Sequence, residues 1–143
     1  MSAAGAVAAG AIFFWLGMVA AISFLEAPLK FRAPGVTLPI GLGIGRLVFR
    51  ALNACEMVLA VLVVVALVLG SPSVTTAVAA GVAIVALLIQ VLAVRPRLTR
   101  RSNAVLAGAA ESEQRSRVHF VYLGLELIKV LGLIVAGVLL LAG

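Results

Sequence analysis

Ionisable and amide side chains recur at helical spacing inside two stretches of sequence that are otherwise apolar. In the first stretch they are Arg46, Arg50, Asn53 and Glu56, at intervals of four, three and three residues. In the second they are Arg115, His119, Tyr122, Glu126 and Lys129, at intervals of four, three, four and three residues. At about 100° per residue, the first set covers a helix face about 120° wide and the second a face about 80° wide. Each stretch therefore predicts an apolar helix with one polar face.

Carboxylates and basic groups on such faces can serve two purposes, and the sequence leaves both open. They can pair with each other, because the three spanning carboxylates balance three spanning basic groups, and such a network would lock helices together. They can instead line a polar cavity that holds an ion, a lipid headgroup or a small anionic ligand. The candidate ligand-binding residues are Glu26, Arg46, Arg50, Asn53, Glu56, His119, Tyr122, Glu126 and Lys129.

More specific chemistry has less support. His119 is the single histidine, so it could ligate haem only with a second axial ligand, for example from a symmetric partner chain. The sequence contains no Glu-x-x-His pair for a di-iron bundle, no aspartate, no glycine-rich phosphate loop and no nucleophile with a recognisable base. We therefore predict neither a metal nor a cofactor, and no catalytic residue is assigned.

The elements that must position these side chains are membrane helices. The chain has 143 residues, of which 64% are hydrophobic and 11% charged, and its mean hydropathy is +1.29. A soluble domain of this length has no core large enough to bury so much apolar surface. Four apolar stretches, each long enough to cross a bilayer, cover residues 5–27, 47–69, 74–94 and 118–142. The sequence thus predicts one all-α membrane domain over residues 1–143, an integral membrane four-helix bundle.

The distribution of basic residues predicts the orientation of this bundle. Ten of the eleven Lys and Arg residues fall in or beside the two long loops, residues 28–46 and 95–117, and none falls at either terminus or in the 70–73 turn. Cytoplasmic loops accumulate Lys and Arg, so both termini are expected outside and both long loops in the cytoplasm. The net charge of +6 is explained by this topology, without a nucleic-acid partner. The expected location is a bacterial cytoplasmic (inner) membrane.

Short motifs spread along the chain support a resemblance. They are Trp15-x-Gly17-Met18 with Phe24, Pro28-x-x-Phe31, Arg46-x-x-Phe49, Arg95-Pro96-Arg97-x-Thr99 and His119-x-x-Tyr122. On these motifs the chain resembles the four-span membrane family related to transmembrane protein 205. The resemblance implies a fold, a small integral membrane bundle, but no mechanism. Glu126 and Lys129 depart from it, because neutral or amide side chains are expected at those positions.

A second resemblance implies a different class of function. The membrane-associated proteins of eicosanoid and glutathione metabolism are four-span trimers with an Arg-Ala, Asn, Glu stripe on the second helix. The segment Arg50-Ala51-x-Asn53-x-x-Glu56 is similar to that stripe. Its Arg-to-Asn spacing is one residue short, which turns the arginine by about 100° relative to the other two.

Three functions are compatible with these observations. The favoured one is a non-enzymatic binding, transport or accessory subunit with a polar pocket on the cytoplasmic side. The alternatives are a small membrane enzyme that uses an anionic cosubstrate such as glutathione, and a purely structural subunit of a larger membrane complex. The expected partners are the lipid bilayer and an anionic lipid or small anionic ligand. A homo-oligomer or a larger membrane complex is also expected, because helix faces of small residues allow close helix association.

Overall fold

The computed structural model describes residues 2–94, Pro96, Arg100 and 114–143, with the side chains of Val94 and of residues 114–119 outside the description. Within these residues every regular element is helical. Four of the helices are long and apolar enough to cross a membrane. The all-α four-helix membrane bundle predicted from the sequence is thereby confirmed.

The first helix, α1, covers Ala3–Arg32. It begins where the Ser2 hydroxyl accepts a hydrogen bond from the N–H of Gly5, 3.0 Å away, which satisfies one of the unpaired donors of the first turn. Its regular α-helical part, Ala3–Val19, continues into a π-helical segment, Ala20–Glu26. The segment Ala27–Leu29 and a 3₁₀ turn at Lys30–Arg32 complete it.

The second helix, α2, covers Leu38–Gly70 and begins well before the span expected at residue 47. The Thr37 side chain caps it by accepting from the N–H of Ile40, and Pro39 lies in the first turn, where its fixed φ favours a helix. Most of the predicted first loop, residues 28–46, is therefore helical. Its non-helical part is residues 33–37, where Gly35 has a φ of 82°.

The third and fourth helices follow a tight turn and the long second loop. α3 covers residues 74–94, as the α-helix Val74–Ile89 followed by the π-helical segment Gln90–Val94, and Ser73 caps its first turn. α4 covers Gln114–Ala142. Of the predicted loop 95–117, residues 114–117 belong to α4, and most of the remainder lies outside the described residues.

Close packing of small residues positions the four helices. The extensive helix contacts, α1 with α2, α1 with α4 and α3 with α4, place the helices in the order α2, α1, α4, α3 around the bundle. A Cβ added to Gly132 of α4 would lie 2.9 Å from the carbonyl oxygen of Ala79 and 3.3 Å from Ala83 Cβ on α3. Such close approach through small residues is a common way for membrane helices to associate. The outward faces are rich in exposed Val, Leu and Ile, as contact with lipid requires.

Candidate functional site

A lysine ammonium lies at the centre of the bundle. Lys129 Nζ of α4 is 2.5 Å from Glu56 Oε2 of α2 and 2.5 Å from Glu126 Oε1, one turn earlier on α4. It also donates to Gln90 Oε1 of α3 over 2.8 Å. All four residues are fully buried. Because an ammonium has three N–H groups, these three acceptors use its whole donor capacity.

The two carboxylates have further donors on α1 and α3. The Trp15 indole N–H donates to Glu56 Oε2 over 2.7 Å, and the Ser23 hydroxyl donates to Glu126 Oε2 over 2.5 Å. The Gln90 amide nitrogen lies 3.2 Å from Glu126 Oε1 and 3.3 Å from the Tyr122 carbonyl oxygen. We call these six side chains the core network: Trp15, Ser23, Glu56, Gln90, Glu126 and Lys129.

The core network joins all four helices. In particular, it connects α2 to α3, two helices that make few direct contacts with each other, through the chain Glu56, Lys129, Gln90. Removal of one partner from a buried ion pair costs about 3–5 kcal/mol, because the other charge is left unpaired. The network therefore makes the relative rotation of the helices specific, in a bundle whose remaining contacts are mostly apolar.

Both π-helical segments lie at the core network. Ser23 is inside the π-helical segment of α1, and Gln90 begins that of α3. A π-helical turn is wider than an α-helical one and shifts the register of the following side chains. Such segments are rare and occur frequently at functional sites. Here they coincide with the two positions where a neutral polar side chain contacts Glu126.

Within the described residues, the two carboxylates differ in how many of their oxygens accept hydrogen bonds. Both oxygens of Glu126 accept hydrogen bonds, and so does Glu56 Oε2. Glu56 Oε1 is buried without a hydrogen-bond partner, and so is Asn53 Oδ1, one turn earlier on the same face of α2. The fully buried charged groups of this described part are two carboxylates and one ammonium. The arginines expected to balance them lie elsewhere.

Those arginines lie nearer the loop end of the bundle, which we define as the end where residues 33–37 connect α1 to α2. Arg50 is exposed and Arg46 is half-buried. The face of α2 that enters the core is centred near Glu56, and Arg50 points about 120° away from it. The structure therefore brings Glu56, Glu126 and Lys129 together and places the Tyr122 carbonyl beside Gln90. Asn53 is buried one turn before Glu56, and Arg50 lies on the outer surface.

A second layer of contacts fills the bundle at the loop end. The Lys30 ammonium lies 5.4 Å from the centre of the Phe31 ring and 5.7 Å from that of Phe49, within the range of cation–π attraction. Phe49 also packs edge to face on Tyr122, with ring centres 5.8 Å apart. Glu26, half-buried one turn before Lys30, has one carboxylate oxygen, Oε2, buried without a hydrogen-bond partner among the described residues.

Two glycines create the space for this layer. A Cβ on Gly41 would collide with the Phe31 ring, and one on Gly45 would lie 2.7 Å from Lys30 Nζ. The Gly41-x-x-x-Gly45 pair lies on one face of α2, four residues apart. It receives side chains from the end of α1.

Sequence reasoning missed two members of the core network and assigned no role to a third. Trp15 and Ser23 were not candidates, because neither carries an ionisable or amide side chain. A signal was present: Trp15, Val19, Ser23 and Glu26 follow one another at intervals of four, four and three residues, which places a donor-bearing face on α1. Gln90 is a lone polar residue in an apolar span. The His119 side chain lies outside the described part of the structure.

The described residues contain no group of three His, Cys, Asp or Glu side chains placed to hold a metal ion. The acceptors present, carboxylate and amide oxygens, are the ligands that hard cations prefer over soft ones. What the arrangement can do chemically is to hold positive charge in its interior, at Lys129, and to present positive charge at its loop end, at Arg50 and Arg32, which are both exposed.

Comparisons with known proteins leave the family open. No protein-family model matches the chain, and no curated protein or solved structure shows significant similarity to it. The resemblance to the four-span family related to transmembrane protein 205 therefore stays a prediction. What the structure establishes is a small four-helix membrane protein with a buried ionic network in its interior.

Proposed function

We propose that this chain is a non-enzymatic membrane protein of the binding, transport or accessory class, and that its loop end binds a negatively charged group. Its core network holds the four helices in one arrangement, and its exposed basic residues form the binding surface. The proposed ligand class is an anionic phospholipid headgroup or a small anion of similar chemistry. By the positive-inside rule this surface faces the cytoplasm.

The observation that carries this proposal is the separation of the charges along the bundle. The interior ammonium has no donor left for a ligand, since Lys129 donates to three acceptors and is fully buried. The exposed charged residues that the structure describes are all basic: Arg32, Arg50 and Arg100. Each Lys or Arg close to an anionic membrane surface contributes about 1 kcal/mol of attraction.

A non-enzymatic role is favoured over a small membrane enzyme by the same geometry. General acid or base catalysis needs a side chain within hydrogen-bond reach of a bound substrate. In the described part of the chain the buried ionisable groups contact each other instead. Arg50, which a glutathione enzyme would use to hold its anionic cosubstrate, is exposed on the outer face of α2.

A purely structural subunit is the second candidate, and the burial of the core network between the four helices is the observation that favours it. Such a network can exist solely to specify helix packing. The two candidate functions predict different behaviour at the loop end. An anion-binding protein retains an anion there, whereas a structural subunit has no need to do so.

Retention of anionic phospholipid tests the proposal. The wild-type chain and the Arg50→Ala variant are purified in a mild detergent, and the phosphatidylglycerol retained per chain is measured by mass spectrometry. A loss of about 1 kcal/mol predicts roughly a fivefold reduction in retained lipid. The control is Arg101→Ala, which removes the same charge from the second loop. Equal reductions in the two variants, or none in either, would favour the structural subunit.

A further inference from the structure

Two counts, one of charge and one of hydrogen bonds, point to a missing positive group in the core network. The first is a count of charge: the fully buried charged groups of the described chain are Glu56, Glu126 and Lys129. Two carboxylates and one ammonium leave one negative charge uncompensated in the bundle interior. An isolated ion in a medium of low dielectric constant is very costly, so this excess points to a missing positive charge.

The second is a count of hydrogen bonds. Lys129 Nζ, both oxygens of Glu126 and one oxygen of Glu56 have partners. The other oxygen of Glu56, Oε1, has none among the described residues, although the whole residue is buried. Lys129 contacts both carboxylates, so they share the excess charge, and the unpartnered acceptor is on Glu56. A further anion or a neutral acceptor cannot satisfy either count, whereas a cation satisfies both.

A second oxygen is placed to share that cation. Asn53 is only 7% exposed, and its Oδ1 is also buried without a partner in the described structure. It precedes Glu56 by three residues on α2, a spacing that puts two side chains side by side with about 5–6 Å between their Cβ atoms. A positively charged group between these two buried acceptors would satisfy both of them.

We infer that Asn53 and Glu56 form an interior site for one monovalent cation, either a proton or an alkali-metal ion, bound between Asn53 Oδ1 and Glu56 Oε1. A proton would make Glu56 a carboxylic acid whose O–H donates to the asparagine. An alkali-metal ion would use the same two oxygens as ligands, together with further oxygen ligands such as water. The charged groups around the site are Lys129 and Glu126 of α4, while α1 contributes the uncharged Trp15 indole.

Glu26 Oε2 is the rival position, since it too is buried without a hydrogen-bond partner in the described part. Its surroundings differ: Glu26 is half-buried, and Lys30 follows it by one helical turn, close enough to interact electrostatically with its carboxylate. The excess charge of the interior is not located there. Glu26 therefore provides a matched control, because its substitution also removes a carboxylate and an unpartnered oxygen.

The central variant is Glu56→Gln, which imitates the occupied site. The glutamine carbonyl can accept from Lys129 and Trp15 as Glu56 Oε2 does, and its amide N–H can donate to Asn53. This variant is expected to fold and to lose the bound cation. Asn53→Leu is the second variant: it removes one of the two oxygen ligands without changing charge. It is expected to weaken cation binding about tenfold, as the loss of one hydrogen bond to a charged group does.

Two measurements on the full-length chain in lipid nanodiscs distinguish the two cations. Infrared spectroscopy at neutral pH detects a buried proton through the carbonyl stretching band of a carboxylic acid. Equilibrium binding of radioactive sodium, with choline replacing sodium at constant ionic strength, detects an alkali-metal ion. A carboxylic-acid band that disappears in Glu56→Gln, persists in Glu26→Gln and shifts in Asn53→Leu identifies a proton. About one sodium ion per chain, lost in Glu56→Gln and retained in Glu26→Gln, identifies an alkali-metal ion.

The inference is overturned if wild-type protein shows neither the band nor stoichiometric sodium binding, a result that needs no variant to fold. It is also overturned if the signal survives in Glu56→Gln, or if Glu26→Gln removes it equally.

Discussion

Replacement of Lys129 by methionine should be the most destabilising single change in the core network. Methionine keeps the length and apolar stem of the side chain but removes the ammonium that contacts Glu56, Glu126 and Gln90. Two buried carboxylates then lose their cation, in a bundle where neither can reach water without opening the helices. From the cost of breaking a buried ion pair, we expect a loss of about 3–5 kcal/mol in the free energy of unfolding.

Compensating substitutions show whether the loss comes from stranded charge. In the double variant Lys129→Met with Glu56→Gln, a neutral amide replaces the carboxylate that accepts from Trp15. Much of the lost stability should then return. Adding Glu126→Gln removes the last buried charge of the network, and this triple variant should recover most of the remainder. Ser23 and Gln90 can each act as donor or acceptor, so they can adapt to the amide at position 126.

Trp15 provides the probe for this experiment. It is the single tryptophan of the chain, and its indole donates to Glu56, so its fluorescence reports the integrity of the network during reversible unfolding in mixed micelles. Lys30→Met is the matched control. Lys30 is half-buried at the loop end and contacts the Phe31 and Phe49 rings, so its loss should cost about 0.5–1 kcal/mol.

The reasoning would be refuted by strict additivity. If Lys129→Met and Glu56→Gln each destabilise the protein, and the double variant loses the sum to within about 0.5 kcal/mol, the two residues are not coupled. A triple variant no more stable than Lys129→Met alone would have the same meaning. Equal losses for Lys129→Met and Lys30→Met would also refute the reasoning. They would mean that the buried, paired ammonium of Lys129 contributes no more to stability than the half-buried ammonium of Lys30.

Two further predictions concern topology and helix packing. A reporter that is active only in the periplasm should be active when fused after Gly143 and inactive when fused near Ala107, because ten of the eleven basic residues lie in or beside the two long loops; the opposite pattern would reverse the orientation. Gly132→Ala should destabilise the bundle by about 1–3 kcal/mol, since its Cβ would lie 2.9 Å from the Ala79 carbonyl oxygen, whereas Gly124→Ala meets nothing within 4 Å and should be neutral or stabilising. Equal midpoints of unfolding for the two glycine variants would contradict the close packing of α3 against α4.

The amino-acid sequence alone determined the class of this protein and the location of its polar side chains. Apolar stretches of bilayer length predict four membrane helices because an unpaired backbone group in lipid is too costly for other structures. Helical spacing places Glu126 and Lys129 on one face, and helical rise places Glu56 and Lys129 at similar depth. The structure joins Lys129 to both carboxylates.

The tertiary structure alone decided which of these faces meet and what completes them. Spacing defines angles between residues of one helix, but not the rotation of that helix toward its neighbours. That rotation depends on close packing, such as Gly132 against Ala79, and it turns Glu56 inward while leaving Arg50 exposed. The π-helical segments that carry Ser23 and Gln90 add a local change of register. Partners from separate helices, such as Trp15 and Glu56, are therefore unpredictable from one-dimensional spacing, because their contact is a property of helix packing in three dimensions.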